Sequence, residues 1–174
     1  MLAEVKKTFT VHGKPIPPEI FRDLGDGGSG LLDGSIWVTV DVAAATGSNL
    51  YADDITQENG WISQKKAGSD EVTGYNFRGT TDNGLLVVLA DWSGGGSGDF
   101  RTLHILDLAA VRAFDDDGKI YQRIYLTNIR SIPLGDRWSG DVLISKDSIR
   151  IVTKRNGPAD DSARGPVTIE AKRP

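Results

Sequence analysis

The chain contains no cysteine, a single methionine and only two histidines, His12 and His104. Lacking a thiol, it can form no disulfide, bind no metal through thiolate and use no cysteine nucleophile. Nor do His, Asp and Glu cluster with metal-ligand spacing. Asp115, Asp116, Asp117 and Gly118 suggest calcium at first sight, but an EF-hand loop needs ligands at alternate positions and Glu at its twelfth, where this chain has Leu126. No cofactor is expected. Charge of one sign is scarce too: 20 Lys and Arg stand against 24 Asp and Glu, and the basic residues are scattered singly or in pairs. No basic stripe is available for nucleic acid. Long apolar runs are missing, none approaching the roughly 18 residues that span a bilayer, and no basic amphipathic helix points to surface attachment. These absences predict a soluble chain with neither a nucleic-acid partner nor membrane insertion.

What the sequence does have is strand pattern and turn residues. Residues 85–92, LLVVLADW, are apolar at nearly every position. Leu85, Val87 and Leu89 point one way and Leu86, Val88 and Ala90 the other, as in a strand covered on both faces, so this segment is expected at the centre of the fold. The loop SGGGSGD follows, where four glycines cannot continue a strand. Residues 100–108 return as a strand, with Leu103 and Ile105 on one face and Phe100, His104, Leu106 and Leu108 on the other. Residues 107–114, DLAAVRAF, also have helix formers and an Asp107 N-cap, so a helix competes there with strand.

The DDDG turn can close in two ways. A two-residue Asp117-Gly118 loop puts Arg112 opposite Arg123, whereas a three-residue loop with left-handed Gly118 pairs Asp115 with Lys119. The second also gathers Leu108, Ala110, Phe114, Ile120, Ile124 and Leu126 on one face and is preferred.

Elsewhere the pattern is more broken. The segment KKTFTVHGK reads as extended, and Pro15, Pro17 and Pro18 end it. Pro18 then suits the first turn of a short helix, PEIFRDL, that Gly25 terminates. GDGGSG at 25–30 matches G-x-G-x-x-G but leads into a strand rather than a helix, so it is read as a loop, not a dinucleotide site. The later GGGSG lacks the Gly-Lys-Ser/Thr ending of a P-loop and also leads into a strand. Residues 35–42 alternate, with Ile36, Val38, Val40 and Val42 buried and Trp37, Thr39 and Asp41 opposite. Residues 43–60 have no sustained period and read as a long connection with a helical turn near Asp53, a candidate binding surface. Short strands are expected at 61–63 and 72–77, around a polar turn. RSIPLGDRWSG reads as an irregular crossing because of Pro133, Gly135 and Gly140. A hairpin about Lys146-Asp147 then gathers Val142, Ile144, Ile149 and Ile151. Beyond about 154 the chain is polar and rich in Gly and Pro, with strand character only at 167–170, and a partly mobile tail is expected.

Together these segments predict one domain over 1–174, all-β, an antiparallel sandwich or barrel of about eight to eleven strands with one short N-terminal helix. HGKPI, the strand ending VDV, GLLVVLADWSGGGSGDF and IPLGDRWSGDVLI resemble small exported proteins of proteobacteria whose activity is uncharacterised. The resemblance spans most of the chain; it implies an all-β fold and a periplasmic or secreted location, and it brings no activity or site residues. MLAEVKKTF has no apolar h-region, so export implies a signal already removed.

Chemistry is sparse. His104 suggests an acid/base unit with Asp107 or Asp91; the plainer reading is a strand histidine bonded to a neighbour. Ser93 and Ser97 lie beside glycines, yet no G-x-S-x-G elbow surrounds them. Trp37, Trp61, Trp92 and Trp138, with Tyr51 and Tyr75, either close the ends of the core or stack on a sugar ring or a protein partner. The ligand-binding candidates are Trp37, Tyr51, Trp61, Trp92, His104 and Trp138. The expected function is a non-enzymatic exported β-domain that binds a ligand or protein partner. The alternative is a hydrolase acting on a cell-envelope or carbohydrate substrate through Asp and His at strand ends. An enzyme should present a concave pocket with two convergent titratable groups, a binding module a shallow aromatic patch.

Overall fold

The computed structural model describes residues 1–24, 39–47, 54–115, 117–154 and 166–172. Their order is α1 (Leu2–Thr8), β1 (Thr10–Val11), β2 (Lys14–Pro15), α2 (Ile20–Asp23), β3 (Thr39–Asp41), α3 (Val42–Gly47), β4 (Ile55–Glu58), β5 (Trp61–Lys65), β6 (Val72–Thr80), β7 (Leu86–Ser93), β8 (Phe100–Phe114), β9 (Ile120–Asp136), β10 (Gly140–Ser145), β11 (Ser148–Thr153) and β12 (Val167–Glu170). Seven strands make one antiparallel sheet in the order β3-β9-β8-β7-β6-β5-β4. β7 is fourth of the seven, the central position that its unbroken apolar run predicts. The sheet is open at β3 and β4, and β10-β11-β12 form a second antiparallel sheet. The result is a sandwich rather than a closed barrel.

The two faces of β7 belong to two cores. Leu85, Val87 and Leu89, with Leu103 and Ile105 of β8, pack against Val142, Ile149, Ile151 and Ile169 of the smaller sheet. Leu86, Val88 and Ala90, with Leu106, Leu108, Ile124 and Leu126, meet an N-terminal layer of Val5, Phe9, Ile16, Ile20, Phe21, Val42 and Ala45. Each fully buried side chain of this kind contributes about 1.5–3 kcal/mol of transfer free energy, so a central strand buried on both faces anchors both layers.

The N-terminal layer differs from expectation. Of the segment read as extended, residues 6–8 belong to the helix α1, while Thr10–Val11 is strand and pairs with Lys14–Pro15. Leu2, Val5 and Phe9 recur at helical spacing and turn one stripe toward the sheet, and this outweighs the brief alternation of Phe9 and Val11. The helix stops at Phe9, which is left-handed (φ 56°) and donates its N–H to the Val5 carbonyl at 2.9 Å. The predicted helix after Pro18 is present as α2, so the chain has more than one short helix near its start. Val42 is buried but opens α3 instead of ending a strand; the Asp41 carboxylate accepts the amides of Ala43 and Ala44, both at 3.1 Å, and turns the chain. Ile55–Glu58, read as connection, pairs with β5. The GDGGSG loop, residues 35–38 of the alternating strand, the turn near Asp53 and the tail at 155–165 lie outside the described residues.

RSIPLGDRWSG is not an irregular crossing up to Asp136. β9 continues through it because two bulges, with Ile129 and Leu134 as the extra residues, absorb the irregularity beside Pro133. The helical alternative at 107–114 is absent: β8 is continuous there. The DDDG turn is the three-residue loop. Asp115 and Lys119 are joined by a 2.9 Å backbone bond, Gly118 has φ +75°, and Arg112 faces Gln122 while Arg123 faces Val111. The face it gathers is buried only at its base, since Phe114 and Ile120 are exposed at the hairpin tip. The Lys146-Asp147 hairpin and the strand at 167–170 form as predicted.

Candidate functional site

The loop after β7 sets two aromatic rings side by side. Trp92 and Phe100 are the cross-strand pair that the 94–99 loop closes, with ring centroids 6.0 Å apart and planes tilted by 31°. A Cβ on Gly98 would stand 2.7 Å from the Phe100 ring and one on Gly94 3.1 Å from the Trp92 ring, so the glycines let the loop pass close against both. Trp92 is 42% exposed and Phe100 49%. Trp92 is nevertheless held. Its Nε1 donates to Glu71 Oε1 at 2.9 Å, and this bond, ahead of the nearby Arg22 and Lys66, keeps the Glu71 carboxyl below its ordinary pKa.

Beneath these rings lies a cavity of about 320 Å³ lined by Phe21, Arg22, Thr73, Ala90, Trp92, Phe100, Thr102 and His104, with Asp91 in the strand between. The pair Pro17-Pro18 starts α2, whose amides at Ile20 and Phe21 bond the two proline carbonyls. This turn carries Phe21 over the sheet, 5.2 Å from the His104 ring, and puts Arg22 at the rim, 3.2 Å from Glu71 and 3.5 Å from Glu19.

Behind the floor, His104 belongs to a buried polar cluster. His104 Nδ1 lies 3.0 Å from Ser131 Oγ and 3.5 Å from Asn128 Nδ2, and the Asn128 amide donates to Ser131 Oγ at 2.9 Å. All three residues are buried. In a regular strand, residues three apart face opposite ways; the bulge at Ile129 puts Asn128 and Ser131 on one face. An amide and a hydroxyl both directed at Nδ1 favour the tautomer protonated on Nε2.

The neighbouring carboxylate points elsewhere. Strand alternation turns the Asp91 side chain to the opposite face, over Gly74 and beside Arg101. Burial, with the charge of Asp99 adding to it and Arg101 opposing, pushes its pKa up to about 6. Arg101 lies 5.3 Å from the Trp61 ring, donates to the Trp138 carbonyl at 2.7 Å and pairs with Asp99 at 3.2 Å. Trp138 is a core residue whose Nε1 donates to Thr153 Oγ1 at 3.0 Å. Of the six candidates, Trp92 and His104 therefore meet at the cavity, and Trp61 and Trp138 sit together on the other face. Trp37 and Tyr51 lie outside the described residues.

A second, more open hollow along the β5–β6 turn is lined by Lys65, Lys66 and Asp70 among others, and its Lys65–Asp70 pair is closed at 2.8 Å. Among the described residues, no group of three or more His, Asp or Glu is arranged to hold a metal ion, and no helix is long and apolar enough to cross a membrane. Compared with protein-family models, curated proteins and solved structures, the chain finds no match.

Sequence reasoning missed Phe21, Arg22, Glu71, Phe100, Thr73, Thr102, Ser131 and Asn128. Phe100 alone had a local signal, as the partner of Trp92 across a glycine loop. The others come from five separate elements or turns, and only the fold gathers them.

Proposed function

We propose that the protein is a non-enzymatic β-domain that binds a small uncharged ligand in the cavity between α2 and the central sheet. One observation carries this: a cavity of the size that small-molecule sites have, roughly 300–1,000 Å³, opens beneath an exposed aromatic pair whose indole is fixed by a hydrogen bond. The cavity is concave, as expected of an enzyme, but the titratable side chain at its floor, His104, and the Asp91 carboxylate lie on opposite faces of the sheet. Export to the periplasm or outside the cell belongs to the same proposal, resting on the sequence resemblance. A panel of uncharged ring compounds, both sugars and apolar fragments, added to the protein should shift the Trp92 indole N–H resonance, and a Thr102→Phe variant that fills the cavity should lose the shift. Silence across the whole panel in a folded protein would overturn the reading.

The hydrolase alternative has one observation in its favour, the 3.0 Å contact between Ser131 Oγ and His104. It requires Ser131, which is not part of the cavity lining, to reach substrate. Ester and glycoside turnover abolished equally by Ser131→Ala and His104→Gln would establish it.

A further inference from the structure

We infer that the ligand class of this site is a neutral saccharide, stacked on Trp92 and Phe100 with its hydroxyls turned toward Thr73 and Thr102; this rests on the binding reading above. Charge at the rim gives the first reason. Arg22 and Lys66 stand against Glu19 and Glu71, two cations against two carboxylates, with contacts of 3.2–3.5 Å. An anionic or cationic ligand would have to break these pairs, whereas a neutral one leaves them closed.

The platform gives the second reason. Two large rings left nearly half exposed forgo the transfer free energy that burial would supply, and Trp92 is fixed in that state by Glu71 rather than folded inward. Its ring face is thus presented in advance, which lowers the entropy lost when a ligand settles on it. The axial C–H bonds of a pyranose face carry small positive partial charge and meet the negative face of an aromatic ring. The lining gives the third reason. The hydroxyls of Thr73 and Thr102 offer both donors and acceptors, the mixture that a polyhydroxylated ring requires. A purely apolar ligand would give these two hydroxyls no partner.

The test is a titration of the intact protein, followed at the Trp92 indole N–H, with glucose, maltose, cellobiose and N,N′-diacetylchitobiose, and with phenol as the non-saccharide ring probe. At least one sugar should shift that resonance saturably. Trp92→Ala and Phe100→Ala, read through the resonances of Thr102 and His104, should each weaken the sugar by about tenfold or more, as hot-spot aromatics do. Glu71→Gln, which acts by positioning the indole, should weaken it less. Phenol binding that Thr102→Phe abolishes, with no sugar bound at high millimolar concentration, would overturn the saccharide assignment and leave the binding reading standing. Failure of sugars and phenol alike would overturn both. Sugar binding untouched by Trp92→Ala would place the sugar elsewhere and also refute the inference.

Discussion

Replacing Asp91 by asparagine should stabilise the protein, and only at pH values where the native carboxylate is charged. The side chain lies over Gly74 on the core side of β7, and burial, reinforced by Asp99, raises its pKa from 3.8 to about 6. An acid whose folded-state pKa lies above its unfolded value holds its proton more tightly when folded. The contribution of Asp91 to stability is therefore greatest below about pH 4, falls as pH rises toward 6 and levels off above it. At roughly 1.4 kcal/mol per pKa unit the full loss would be about 3 kcal/mol. Partial contact with water reduces this to about 1–2 kcal/mol. Asparagine keeps the shape while removing the charge. Urea unfolding of both proteins between about pH 3.5 and 8 measures the difference directly, and groups common to both cancel. The variant should gain about 1–2 kcal/mol above pH 6 and nothing below pH 4. A difference independent of pH, or a less stable variant at pH 8, would refute this account of the Asp91 environment.

Gly118→Ala should cost about 1 kcal/mol by equilibrium unfolding, because its φ of +75° disfavours a Cβ while the space around it is empty; Asp117→Ala should cost less. Leu103→Ala, fully buried between the sheets, should cost about 2–5 kcal/mol, and Leu143→Ala on the outer face less than about 0.5 kcal/mol. Equal losses would contradict the assignment of faces. Ser131→Ala removes a buried partner of His104 and should cost about 1–3 kcal/mol, with a shift of the His104 Nδ1 resonance as the specific readout. An unchanged resonance would show that the contact does not form in solution.

The main sheet was legible because its evidence is local. Apolar residues on both faces of 85–92 can be satisfied only by a strand with layers above and below, and both layers exist. Turns were legible where one residue decides them, as Gly118 does for the DDDG loop, or where one register gathers an apolar face, as Val142, Ile144, Ile149 and Ile151 do for the β10–β11 hairpin. Element type failed where two periods overlapped, at Leu2, Val5 and Phe9, and where a bulge let a strand run past Pro133. Packing against the sheet resolved the first and bulged pairing along β8 the second, and neither is a property of a few neighbouring residues.

The candidate site divides the same way. Trp92, its partner Phe100 and the glycines between them lie within nine positions, and the pairing of β7 with β8 follows from their order in the chain. The contacts that make these rings a site come from residues remote in sequence: Glu71 from the β5–β6 turn, Phe21 and Arg22 from α2, and Asn128 and Ser131 from β9. Strand alternation also separates His104 from Asp91, a pair that composition alone would join. The sequence by itself determines which segments are strands buried on two faces, since hydrophobic period acts over a few residues. Only the tertiary structure decides which polar side chains meet, because a one-residue bulge or the position of one short helix changes the face on which they stand.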